Sequence, residues 1–172
     1  KLMNSNKNLV FLGMMGSGKS SIGNLVSKKL GLPFIDIDNS IEESSGMSIS
    51  EIFKTKGEDY FRKLEEKITL KSLKKIKNVI SLGGGGFIND KIRNEIITNH
   101  YSFWLNWNES VLIKRIKDSK KRPIALKSTE REIKAIIKSR SKIYINAQYK
   151  INCNKLTKTE IVKNIIKIYE FN

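Results

Sequence analysis

One cysteine, one histidine, two prolines and six arginines stand among 172 residues, and each scarcity limits the chain. Cys153 has no second cysteine to pair with, so an internal disulfide is excluded, the thiol is expected to be structural or inert, and a reducing cytoplasm fits best. His100, in the turn-like "TNHYS", is expected on the surface rather than in catalysis. No apolar stretch approaches the ~20 residues of a membrane helix, so no membrane partner is expected. The start of the chain lacks the charged segment, apolar core and small-residue cleavage site of a secretion signal. Repeats and low-complexity blocks are absent too. With 39% hydrophobic and 29% charged residues, the length suits one globular domain with a core, taken as 7–172. Residues 1–6 carry no pattern and are expected to be a disordered end or an expression remnant.

The charge is one-sided: 33 basic against 17 acidic residues give +16. Such a balance raises the possibility of a nucleic-acid surface, yet 27 of the 33 are lysines spread along the whole chain. Scattered lysine reads as solvated surface, and no nucleic-acid partner is expected. Arginine is more informative, because lysine cannot replace its planar fork on a carboxylate or phosphate. The six are Arg62, Arg93, Arg115, Arg122, Arg131 and Arg140.

Five short runs rich in β-branched or aromatic residues, 8–12, 34–37, 78–82, 102–105 and 149–151, read as strands. Between them 20–30, 58–76, 109–117, 130–145 and 159–171 have helical spacing. That alternation predicts a parallel sheet covered by helices on both faces. Ser48 and Glu51 have capping-box spacing and start a short helix to about Lys54. The stretch "DSKKRPIALKST", 118–129, reads as a basic loop.

What is present most distinctly is a phosphate cradle. Gly13, Gly16, Ser17, Gly18, Lys19, Ser20 and Ser21 lie in "GMMGSGKSS", which follows a strand and opens a helix. Backbone N–H groups freed by the glycines surround phosphate oxygens, Lys19 reaches the β and γ phosphates, and the Ser20 hydroxyl can hold magnesium. A nucleoside triphosphate is therefore expected, with the acceptor left open. Asp36 and Asp38 in "FIDIDNSIE" alternate at the end of the second strand and so project to one side, where ligands meet a parallel sheet. Asp36 could hold magnesium and Asp38 an alcohol; the plain alternative is a helix N-cap and a surface charge. Arg62 has Glu65 three residues on, an ordinary intrahelical pair by default. Four glycines, 83–86, follow the third strand and leave room for a ligand. Arg122 lies in the basic loop, where an arginine can close over a transferring phosphate. Trp104 is expected in the core, and Trp107 at its edge or on the nucleotide side.

In this order and spacing, "GMMGSGKS", "DIDNSIE", "FRKLE", "SLGGG", "KRP" and "RSKIY" resemble the shikimate kinase family, small P-loop kinases of the nucleoside-monophosphate-kinase-like type. The resemblance implies a three-layer α/β/α fold with a five-stranded parallel sheet of order 2-3-1-4-5, a substrate-binding segment at about 38–65 and a lid at about 117–129. It implies transfer of the ATP γ-phosphoryl group to the 3-hydroxyl of shikimate, with magnesium, by a cytoplasmic monomer acting on small molecules. Residue by residue, Lys19 matches the phosphate lysine, Ser20 and Asp36 the magnesium site, and Asp38 the carboxylate at the substrate hydroxyls. Arg62 and Arg140 match the pair gripping the shikimate carboxylate, and Gly84 and Gly85 the backbone at the ring hydroxyls. Arg122 matches the lid arginine and Arg115 one near adenine, whose far side is matched only around 152–154. The chain departs from the pattern at Ile124 and Ala125, where leucines are usual, and at Gly86, where alanine is commoner.

Overall fold

The structure is a computed structural model that describes residues 5–119 and 128–171. Its elements, in chain order, are β1 (Leu9–Leu12), α1 (Lys19–Leu30), β2 (Phe34–Asp36), α2 (Ile37–Ser45), α3 (Ile49–Lys56), α4 (Glu58–Leu73) and β3 (Val79–Ser81). A 3₁₀ turn (Gly86–Ile88), α5 (Asp90–Asn99), β4 (Tyr101–Asn106), α6 (Glu109–Asp118), α7 (Glu130–Tyr144), β5 (Tyr149–Asn152) and α8 (Lys158–Glu170) complete them. The five strands form one parallel sheet in the order β2-β3-β1-β4-β5, as expected.

Side chains alternate across a strand, and β1 uses that period to serve two cores. Val10 and Leu12 join Ile80, Trp104 and the inner faces of α2 to α7 on one side. Leu9 and Phe11 join Val79, Phe103, α1 and α8 on the other. Every residue of β1 is buried, which explains its uninterrupted apolar sequence. Cys153 is fully buried in the second core and Trp104 lies in the first. Among the described residues no helix is long and apolar enough to cross a membrane.

Three expectations need correction. β2 ends at Asp36, and Ile37 opens α2, with the Asp36 carboxylate capping the helix through the Asn39 N–H at 3.1 Å. Asp38 therefore sits in the first turn of a helix, and its shared side with Asp36 comes from the strand-to-helix junction, not from strand alternation. α4 ends at Leu73, not Ile76, because the buried Asn8 side chain gathers the Leu73 and Lys75 carbonyls at 3.2 and 2.7 Å and accepts from the Asn78 N–H at 2.8 Å. His100 is buried, not at the surface: its Nδ1 accepts from the Asn8 N–H at 3.3 Å, and burial holds its pKa below the ordinary 6.5.

The expected helix at 48–54 is α3, and its Ser48 and Glu51 form the full capping box. The helix α5 was not anticipated. Of the expected disordered end, residues 1–4 lie outside the described residues, as do Arg122, Ile124 and Ala125 of the basic loop.

Candidate functional site

β1 delivers the chain to a tight turn at the carboxyl end of the sheet. Gly13 has φ 144°, and a Cβ there would stand 3.0 Å from the Leu105 carbonyl, so the loop can pass β4 only without a side chain. Gly18 takes the left-handed N-cap position of α1 and has no side chain to cap it, whereas Asp36, Ser48, Thr129 and Thr157 cap their helices. The first N–H groups of α1 thus face the turn without a capping oxygen, a ready anion site. Lys19 folds back over this turn, and its Nζ donates to the Gly13 and Met14 carbonyls, each at 2.9 Å. The Ser17 hydroxyl is buried and has no hydrogen-bond partner among the described residues. Ser21 follows in the same first turn of α1.

Beside the turn, the Ser20 hydroxyl donates to the Asp36 carboxylate and lies 3.5 Å from the Ser81 hydroxyl. The ends of α1, β2 and β3 thereby bring hard oxygen donors together. On the other flank, Arg115 of α6 donates to the Gly16 carbonyl at 2.9 Å.

Next to this corner opens a cavity of about 280 Å³. Ser20, Asp36, Asp38, Asn39 and Glu42 line one wall, Ile49, Phe53 and Phe61 an apolar one, and Met15, Arg62, Glu65, Gly84, Gly85 and Arg140 the rest. Arg62 Nη1 donates to Glu65 at 2.9 Å, and its Nη2 lies 3.6 Å from Glu58. Glu65 is only 2% exposed, and burial raises its pKa above 4.5 although Arg62 opposes the shift. Arg140 projects from α7, and its Nη1 donates to the Gly84 carbonyl at 3.2 Å. The Tyr144 hydroxyl donates to the same carbonyl at 2.6 Å, and burial pushes its pKa up to about 12.

Two of the glycines after β3, Gly83 and Gly85, leave room that these neighbours occupy. A Cβ at Gly83 would stand 2.7 Å from Asp38 Oδ1 and 3.0 Å from Glu65 Oε2, and one at Gly85 2.5 Å from Arg62 Nη1. Two guanidiniums and two carboxylates thus converge on bare backbone, with the phosphate turn at one end of the cavity. Such a site suits a small molecule carrying an anionic group and hydroxyls.

A shikimate kinase family model matches residues 15–170. The chain belongs to the shikimate kinase family. It is 39% identical over 165 residues to a shikimate kinase of Thermodesulfovibrio yellowstonii, covering 95% of both chains. The crystal structure of shikimate kinase from Aquifex aeolicus superposes with a TM-score of 0.86 at 38% identity, covering 95% of this chain and 96% of that one. The Acinetobacter baumannii shikimate kinase, solved in complex with shikimate, gives 0.90 at 26% identity over 96% and 94%.

Within this shikimate kinase fold, Gly84, Gly85, Arg62, Arg140, Asp36, Asp38 and Ser20 share one cavity. Gly16, Gly18, Lys19 and Arg115 gather at the adjoining turn. In sequence Glu65 looks like an ordinary intrahelical partner and Tyr144 carries no motif of its own; the signal for both is their helical spacing, three and four residues on, from Arg62 and Arg140. Gly83 carried no separate signal within its run of four.

Proposed function

We propose that this chain transfers the γ-phosphoryl group of ATP to the 3-hydroxyl of shikimate, yielding shikimate 3-phosphate and ADP in the biosynthesis of chorismate and the aromatic amino acids. The observation that carries this reading is the placement of Arg62, Arg140 and Asp38 around one cavity beside the Ser20 corner. Shikimate has a carboxylate at one end of its ring and hydroxyls at the other. Arg62 and Arg140 bind the carboxylate, while the Gly84 and Gly85 backbone and Asp38 meet the hydroxyls.

ATP phosphates occupy the turn of Gly16, Ser17, Gly18, Lys19, Ser20 and Ser21, and Lys19 exchanges its carbonyl contacts for phosphate oxygens. The Ser20 hydroxyl and Asp36 carboxylate would hold magnesium, which favours oxygen ligands. When bound, the ion neutralises charge on the β and γ phosphates. Asp38 orients the attacking hydroxyl and accepts its proton; a loose transition state makes orientation the larger part. Glu65, locked to Arg62, keeps that guanidinium facing the ring. Arg122 closes over the transferring phosphate and spreads its charge. Arg115 packs near the adenine.

The chain acts as one kinase domain, 7–172, with its substrate-binding segment at 38–65 and its lid at 117–129. It works as a cytoplasmic monomer. Coupled ADP release with ATP and magnesium across shikimate, gluconate and nucleoside monophosphate acceptors tests the reading. ADP formation that depends on shikimate supports it; turnover on another acceptor alone keeps the phosphate turn and discards the substrate half.

A further inference from the structure

Trp107, one residue past β4, is tied to the phosphate turn by two contacts that the mechanism above does not use. Its Nε1–H donates to the Ser17 carbonyl at 2.8 Å, and the Arg115 guanidinium lies over its ring, 4.1 Å from the centroid. Arg115 in turn donates to the Gly16 carbonyl at 2.9 Å. Consecutive carbonyls of the turn are therefore held from outside by one stacked pair.

The planarity of the peptide unit turns these contacts into control of the cradle. In a trans peptide the C=O and the following N–H point in opposite directions. Fixing the Gly16 carbonyl toward Arg115 sends the Ser17 N–H the other way, where it meets the Met14 carbonyl at 3.1 Å. Fixing the Ser17 carbonyl toward Trp107 likewise turns the Gly18 N–H away from the indole. Gly16 and Gly18 both have positive φ, and glycine backbones move readily between such wells, so the turn needs an external hold to keep its donors in one orientation. Gly16 also permits the hold sterically: a Cβ there would stand 3.1 Å from the Arg115 Cβ.

Trp107 is itself fixed. It is half-buried and packs against both cores, and the next residue, Asn108, donates its N–H to the Asn154 side chain at 2.7 Å. Arg115 stays exposed although stacked, so its guanidinium is restrained on the indole and still open to a ligand.

We propose that Trp107 is a positioning residue for the nucleotide: its indole N–H sets the Ser17–Gly18 peptide to receive phosphate, and its ring holds Arg115 as a flat platform beside it. The proposal rests on the nucleotide half of the function given above. Trp107→Phe removes the N–H and keeps a ring; Trp107→Leu removes both.

Calorimetric titration with ADP separates the two contributions in the full chain. ADP affinity is expected to fall about fivefold in Trp107→Phe, the worth of one hydrogen bond, and about 20-fold in Trp107→Leu as the stack is lost too. KM for ATP follows the same order, while KM for shikimate stays at the native value. A purely structural role would instead lower the melting temperature and disturb both substrates together. Native ADP affinity in both variants overturns the proposal. Failure of the native chain to bind ADP at all overturns the nucleotide-site reading itself, a separate result.

Discussion

Gly85→Ala adds one methyl group for which the Arg62 guanidinium must make room. The Gly85 backbone, at φ −104° and ψ 0°, is one alanine can adopt, so the effect is spatial rather than conformational. The new Cβ would stand 2.5 Å from Arg62 Nη1 and 3.0 Å from its Cζ and Nη2. Carbon and nitrogen need roughly 3.5 Å, so the guanidinium retreats by about 1 Å. The guanidinium is the far end of a flexible, one-third exposed side chain, so it swings aside, and its 2.9 Å bond to Glu65 is strained or lengthened.

Two costs follow. Glu65, 2% exposed, keeps its ion pair with Arg62 in a poorer geometry, which destabilises the fold by about 0.5–1.5 kcal/mol. The shikimate carboxylate loses a charge-assisted contact of about 1.5–3 kcal/mol, raising KM for shikimate by roughly 10- to 100-fold. Initial rates of ADP release against shikimate at saturating ATP, with a thermal melt of the same protein, measure both; KM for ATP is expected to hold. Gly84→Ala is the comparison, because its Cβ meets nothing closer than the Met15 nitrogen at 3.4 Å and Arg140 Nη1 at 3.6 Å. That variant should melt as the native chain does. Native KM for shikimate together with a native melting temperature in Gly85→Ala would refute the reasoning.

Arg62→Lys keeps a charge but not a fork, and KM for shikimate should rise about tenfold with little change for ATP; equal affinity in a shikimate titration would remove the bidentate role. Arg122→Ala should lower turnover by about 10³-fold in the coupled assay, and near-native turnover would take Arg122 out of the chemistry. Glu65→Gln should change how stability depends on pH. Because burial raises the Glu65 pKa, the folded chain holds that proton to higher pH than the unfolded chain. The carboxyl's contribution is greatest at low pH and declines as pH rises from 4.5 through the folded value. Urea midpoints of Glu65→Gln should lack that part of the decline, and parallel pH profiles for the two proteins would count against it.

The phosphate turn was legible because its information is contiguous: the glycines, Lys19 and Ser20 adjoin in sequence and act as neighbours. The sheet was legible for a similar reason, since β1 and β3 are buried on both faces and read as apolar runs. α2 was hidden because Ile37 suits a strand, and the decisive signal was the Asp36 cap on Asn39. α5, "DKIRNEIITN", mixes three isoleucines with two asparagines, which weakens a helical reading; its Asn89 cap was the clue. The acceptor site was only half legible without the family resemblance. Arg62 comes from α4, Arg140 from α7 and the glycines from the turn after β3, and no local pattern states that they meet. The burial of His100 has the same origin, in a bond to Asn8 at the far end of the sequence.

The central claim is that one cavity holds shikimate by its carboxylate at Arg62 and Arg140 and presents a single hydroxyl, beside Asp38, to ATP. Proton-coupled phosphorus NMR of the product after turnover with ATP, magnesium and shikimate tests this most directly. The account predicts one organic phosphate, coupled to the ring proton at carbon 3. Phosphate on another hydroxyl, or inorganic phosphate alone, would contradict it.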